Sequence, residues 1–220
     1  MKKFTSPLLV FMLLSFAACS QKSNKPSVVP KPLSNKELSK YSQATFAAGC
    51  FWHEEALFES IKGVKEVVSG YAGGTTSNPS YESIETGETG HTETVNVFYD
   101  PAEISYDKLV EVYFAGQDPT SVNGQGNDRG TQYRSVLFYR NIAEKQKATT
   151  YMKHLQDGGK YKKPLAVQIM PLNRFWNAED YHQDYIVKNP GSGYVNMVSI
   201  PEIKKTQKEF PQLVKEGHLF

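Results

Sequence analysis

The chain's best-equipped nucleophile is a thiol. The sequence holds two cysteines, Cys19 and Cys50, and only Cys50 falls within well-patterned sequence. It follows Gly49, precedes Phe51 and Trp52, and sits where a short apolar strand pattern gives way to helical spacing. A thiol at a helix N-terminus meets unpaired N–H groups and the positive end of the helix dipole. Both favour thiolate, the nucleophilic form. From position alone a buried structural thiol fits equally well, because free cysteine is often a small core hydrophobe. Phe51 and Trp52, taken alone, read as core. His53 reads as exposed helix surface, with cationic support of the Cys50 thiolate as its functional alternative. His91 and His182 offer nitrogen ligands, but no second cysteine or spaced carboxylate pair completes a metal set. Either histidine acting as base on Cys50 would instead make a thiol hydrolase.

The surrounding pattern must position that thiol. Residues 44–49 read as a strand. Residues 51–62 read as a helix with Leu57, Phe58 and Ile61 on one side and Glu54, Glu55 and Glu59 on another. Gly63 stops it. Residues 64–72 are β-rich, and 92–99 alternate with Val95, Val97 and Tyr99 on one face. Ser105 caps a helix carrying Tyr106, Leu109, Val110, Tyr113 and Phe114. Residues 133–139 alternate again. This order is βαββαβ, so the expected fold is α+β, a ferredoxin-like split βαβ plait. Additional C-terminal helices and loops follow: a helix over 141–156 started by Asn141 and Glu144, a strand near 165–170, and a helix near 178–188. Residues 116–132 form a long polar loop rich in Gly, Asn and Asp, and structureless loops of that length are usually functional.

Ordered blocks of residues extend the argument. Gly49-Cys50-Phe51-Trp52 resembles the signature of the type A peptide-methionine sulfoxide reductases. So do Gly70-Tyr71-Ala72-Gly73-Gly74, Asn78-Pro79-Ser80-Tyr81, Gly90-His91-Thr92-Glu93 and Tyr99-Asp100-Pro101. Asp118-Pro119-Thr120, the run Gly126-Asn127-Asp128-Arg129-Gly130-Thr131-Gln132-Tyr133-Arg134-Ser135, Tyr181-His182-Gln183 and Lys188-Asn189-Pro190 continue the pattern.

This resemblance implies reduction of the S epimer of methionine sulfoxide, free or in oxidised proteins, without a bound cofactor. It casts Cys50 as the nucleophile that is left as sulfenic acid, and Phe51 and Trp52 as the wall for the substrate methyl. Glu93 would be the acid that protonates the departing oxygen, Tyr81 and Tyr133 would hydrogen-bond that oxygen, and Asp128 would orient the site. Many relatives resolve the sulfenic acid with a C-terminal cysteine, but residues 191–220 contain none. An external thiol, such as a thioredoxin-like protein or dithiothreitol, must therefore regenerate Cys50. The resemblance also implies a monomer.

Composition and the N-terminus bound the setting. The 220 residues are 39% hydrophobic and 22% charged, enough apolar material for a core. A formal charge of +2 gives no electrostatic footprint for nucleic acid. Residues 1–18 read as a signal peptide: Lys2 and Lys3, an apolar run from Pro7 to Phe16, then Ala17-Ala18. Cys19 directly after them resembles the lipidated cysteine of a bacterial lipoprotein, with Phe16 where Leu is usual. Residues 19–43, with three prolines, read as a lipidated N-terminus and flexible tether. The catalytic domain is expected over 44–212, with a tail over 213–220. The expected location is the bacterial cell envelope, lipid-anchored outside the cytoplasm, in the periplasm or at the outer membrane. A non-catalytic surface lipoprotein is the remaining alternative.

Overall fold

The computed structural model describes Met1 and residues 31–218. The signal segment and Cys19 lie outside the described residues. The fold is a mixed α/β arrangement around one six-stranded sheet. Its strands are β1 (Ser42–Ala47), β2 (Val64–Ala72), β3 (Thr92–Tyr99), β4 (Val136–Tyr139), β5 (Gln168–Pro171) and β6 (Phe175–Asn177). They lie in the order β5-β4-β1-β3-β2-β6. The β1–β3, β1–β4, β2–β3 and β2–β6 pairs are antiparallel, while β4 and β5 run parallel. β1 starts two residues ahead of the expected Ala44. The chain before it carries a short helix, Asn35–Leu38, and Leu33 N–H donates to the Glu66 carboxylate at 2.9 Å.

Both faces of the sheet are covered, so β3 is buried along its whole length. On one face Val95 and Val97 join the main core. Phe46 stacks there on Phe58 and Tyr113, with centroids 5.1 and 4.9 Å apart. On the other face Thr92, Thr94 and Asn96 are buried with their partners: Thr92 Oγ1 lies 2.8 Å from Thr94 Oγ1, and Asn96 Oδ1 accepts from Thr45 and Arg140. A smaller cluster of Ala47, Ala72, Val136 and Phe138 lies apart from the main core.

Four main helices are α1 (Phe51–Glu59), α2 (Tyr106–Ala115), α3 (Ile142–Asp157) and α4 (Ile200–Glu209). Ser105 Oγ accepts from Lys108 N–H, and Asn141 Oδ1 accepts from Glu144 N–H, so α2 and α3 start at their sequence-marked caps. α1 departs from the expected acidic solvent face. Glu54 and Glu55 are each 1% exposed: α4 packs against α1 beside Glu54, while Ser69 Oγ of β2 donates to the Glu55 carboxyl. The helix expected near 178–188 is mostly turn and becomes helical only over Tyr185–Lys188. Gln183 explains this: its side-chain amide bonds both the N–H and C=O of Ser69, taking the place of a neighbouring strand, and Asp184 then adopts φ +53°. Tertiary bonding overrides local helical spacing here. The strand expected over 133–139 starts only at Val136, since Thr131–Tyr133 forms a 3-10 turn. Among the described residues no helix is long and apolar enough to cross a membrane.

Glu59 ends α1 half-buried, near Asp184 and Glu66. Burial first, then those two carboxylates, push its pKa up to about 8 from the usual 4.5. The folded state therefore holds a proton that the unfolded chain releases near pH 4.5. This stabilisation is complete below that pH and disappears as pH rises to about 8. Glu59→Gln should flatten the fall in melting temperature between pH 5 and pH 8. An unchanged slope would contradict the assignment.

Candidate active site

The site begins where β1 hands the chain to α1. Gly49 adopts φ +72°, and a Cβ there would lie 2.8 Å from Gln125 Cβ. Glycine is required on both counts. Cys50 follows as the N-cap residue of α1, only 9% exposed. The helix start acts on it as expected: the Trp52 and His53 backbone N–H groups favour its thiolate. Burial outweighs them, and the charges of Glu93 and Asp128 act in the same direction. Cys50 is thus held well above the usual thiol range, which corrects the expectation of a resting thiolate.

Glu93 supplies the matching acid. The alternation of β3 places it on the same face as Val95 and Val97, so a carboxyl group is carried into the core. It is 2% exposed, and its Oε2 accepts the Phe51 N–H at 2.9 Å. Burial raises its pKa well above the carboxylate range, while hydrogen bonds from Phe51 N–H and the Cys50 side chain pull the other way. The arrangement is a neutral carboxylic acid bonded to a neutral thiol, a proton source beside a nucleophile.

Tyr81 and Tyr133 line up with this pair. Burial first, then the Glu93 charge, hold both hydroxyls above their usual range, so they remain donors. Tyr81 also feels the Cys50 charge. Its backbone N–H donates to Glu179 Oε1 at 2.9 Å, and Tyr71 OH donates to Glu179 Oε2 at 2.8 Å, so one carboxylate fixes both. Tyr133 OH donates to Glu85 Oε1 at 3.0 Å.

The aromatic pair divides in two. Phe51 is 1% exposed and packs on His182 at 4.9 Å. Trp52 is half-buried, stacks on Tyr185 at 3.6 Å with the rings 7° from parallel, and donates its indole N–H to His182 Nδ1 at 3.1 Å. Asp128 lies in a small hairpin of the long polar loop, Gly124–Gln125 against Asp128–Arg129. Its Oδ2 accepts from Tyr194 OH at 2.6 Å.

Tyr194 is the site residue that sequence reasoning missed. It also exchanges a hydrogen bond with the Cys50 side chain, and its ring stands edge-on to Trp52 at 6.1 Å. Its signal was the small-residue run Gly191-Ser192-Gly193, which returns the chain to the site just after Pro190.

The histidines take other places than expected. His53 is 5% exposed, not surface, and burial lowers its pKa to about 4. It is uncharged at neutral pH and gives the thiolate no cationic support. His91 accepts from Gly74 N–H through Nδ1, and its Nε2 lies 2.8 Å from Thr76 O. His182 Nδ1 is taken by the Trp52 indole. The Cys50 side chain bonds the Glu93 carboxyl, while both His91 nitrogens and His182 Nδ1 are engaged elsewhere, so the Cys–His hydrolase arrangement is not formed.

The ordering of these influences is measurable through the pH dependence of Cys50 alkylation. Glu93→Gln should move the midpoint to lower pH, and Asp128→Asn should move it the same way by less. A larger effect from Asp128→Asn, or an upward shift in either variant, would overturn the ordering.

Known proteins resemble this chain in sequence and fold. The family model described as peptide methionine sulfoxide reductase matches residues 42–214. A peptide methionine sulfoxide reductase MsrA from Picrophilus torridus is 46% identical over 164 residues, covering 74% of this chain and 92% of the relative. The MsrA of Pasteurella multocida is 43% identical over 173 residues, covering 79% of this chain and 98% of its own length. Among solved structures, reduced Mxr1 from Saccharomyces cerevisiae superposes with a TM-score of 0.65 at 34% identity, over 69% of this chain and 87% of that one. Methionine sulfoxide reductase A of Corynebacterium diphtheriae gives 0.62 at 36% identity, over 68% and 76%. The chain belongs to the peptide methionine sulfoxide reductase family, as an oxidoreductase of the MsrA type.

Proposed function

We propose that this enzyme reduces the S epimer of methionine sulfoxide, free or in oxidised proteins, through a Cys50 sulfenic acid that an external thiol regenerates. The single observation that carries the reading is Glu93, bonded to the Phe51 N–H and to the Cys50 thiol inside the core. A neutral carboxyl is what the chemistry needs, because the sulfoxide oxygen must leave protonated.

The steps balance as follows. Glu93 passes its proton to the sulfoxide oxygen and takes the thiol proton in return. Cys50 Sγ bonds to the substrate sulfur as the S–O bond breaks, Glu93 passes on this second proton, and oxygen leaves as water. Water then adds to Sγ and returns a proton to the Glu93 carboxylate, the S–S bond breaks, and the thioether departs, leaving Cys50–S–OH. Tyr81 and Tyr133 donate to the oxygen while charge builds on it. Trp52 and Phe51 hold the methyl; burying it is worth about 1 kcal/mol, so they select and orient more than they drive. Asp128 acts through Tyr194 OH, fixing that hydroxyl beside Sγ.

The strand order β4-β1-β3-β2, with α1 and α2 as crossovers, supports reading the scaffold as a ferredoxin-like plait. Val195 follows Tyr194 as a fully buried core residue, and Cys50 is the one free cysteine among the described residues. A single-cysteine cycle follows, with oxidised proteins as substrates and a thioredoxin-like or small thiol as donor. The Lys2-Lys3 start, apolar run and Ala-Ala-Cys19 boundary support export, lipidation at Cys19 and a site of action in the cell envelope.

Racemic dabsylated methionine sulfoxide with dithiothreitol, followed by chiral separation, tests the activity. The wild type should consume the S form, Cys50→Ser should be inactive, and Glu93→Gln should lose about 100-fold to 10,000-fold. Consumption of the R form, or full activity in Glu93→Gln, would refute the assignment. Radiolabelled palmitate should enter the full chain and be lost in Cys19→Ala; equal labelling would remove the anchor.

A further inference from the structure

A second opening reaches Cys50 from outside the aromatic site. It is a cavity of about 330 Å³, within the size range of small-ligand pockets. Cys50 and His53 are among its buried walls, while Asp118, Arg129, Glu202 and Lys205 form an exposed rim. It borders Asp128 and Tyr194, but none of Phe51, Trp52, Tyr81, Glu93 or Tyr133 lines it. The thiol therefore has one side toward the acid and the aromatic wall and another toward a polar, charged chamber.

His53 adds an unpaired polar group to the chamber wall. Its side chain is about nine-tenths buried, yet neither ring nitrogen has a hydrogen-bond partner. Nδ1 lies 3.3 Å from a Glu202 oxygen without hydrogen-bond geometry. A buried polar group left unpaired costs about 1–3 kcal/mol. The rim carries both signs of charge around one deep sulfur.

We propose that this cavity seats the reducing thiol, and that it selects a small zwitterionic one, an amino-acid or short-peptide thiol. Its sulfur would meet Cys50, its carboxylate would lie by Arg129 and Lys205, and its ammonium would lie by Asp118 and Glu202. The inference rests on the single-cysteine cycle above and names its donor class. In the first step Cys50–S–OH and R–SH give Cys50–S–S–R and water. The proton of the incoming thiol passes to the departing hydroxide, which leaves as water. A second R–SH then attacks the mixed disulfide, releasing R–S–S–R and restoring Cys50–SH. Two thiols are oxidised for each sulfoxide reduced.

The test uses the full chain with L-cysteine or neutral 2-mercaptoethanol as reductant. In the double variant Arg129→Glu/Lys205→Glu the KM for L-cysteine should rise about fivefold to tenfold, with the KM for 2-mercaptoethanol changed less than twofold. Ser121→Trp, which places a large ring in the cavity, should slow turnover with both thiols. In both proteins a single turnover without thiol should still yield one methionine per Cys50. In the double variant, an unchanged KM for L-cysteine, or equal weakening with both thiols, would overturn the cavity assignment, as would undiminished turnover in Ser121→Trp. Loss of methionine in the wild-type single turnover, or an intramolecular disulfide after it, would instead overturn the underlying cycle.

Discussion

The structure depends on one carboxyl group kept out of water. Glu93 lies on the core face of β3 and is held by the first N–H of α1. Ionised in that position, it would face an apolar core on one side and the Cys50 sulfur on another. Burial outweighs the helix start and keeps both groups protonated, so the pair is neutral at rest. The same placement couples strand, helix and thiol. β3 sets the depth of the acid, Gly49 sets the turn, and α1 presents the N–H that aims it.

Support for this pair comes from several distant parts of the chain. Glu179 bonds Tyr71 and Tyr81 with its two oxygens. His182 receives the Trp52 indole, and Tyr185 stacks against the same ring. These contacts fix side chains that would otherwise be free to rotate, and a site gains precision when its supporting shell is locked. The long polar loop contributes the Asp128–Tyr194 bond, with Gln125 filling the space that Gly49 leaves open.

Much of this was legible in the sequence, for identifiable reasons. Strong local signals survived: β2 and β3 occupy the predicted 64–72 and 92–99, and Ser105 and Asn141 cap α2 and α3 as their side chains dictate. Glu93, by residue type alone a solvent-facing group on a strand, is instead carried into the core by the alternation of β3. What failed depended on distant partners. His53 and Glu54 look like helix surface until α4 arrives to cover them, and Glu55 until β2 brings Ser69 against it. The predicted helix near 178–188 gives way because Gln183 finds a better partner in Ser69. Tyr194 was one tyrosine among 13, and no local period marks a residue whose role comes from a chain return. The activation expected of Cys50 at a helix terminus was real but smaller than the cost of sealing the thiol.

The bond between Tyr194 and Asp128 spans 66 positions, that between Trp52 and His182 spans 130, and Lys215 reaches Glu59 O across 156. The Cys50 sulfur thus leaves the ribosome before Asp128, His182 and Tyr194, the residues that settle around it. Until then the nascent polypeptide carries a cysteine without the burial that holds its thiol up in the folded protein. Enzymatic competence is a late event in the life of each molecule, gained only when distant portions of the polymer meet.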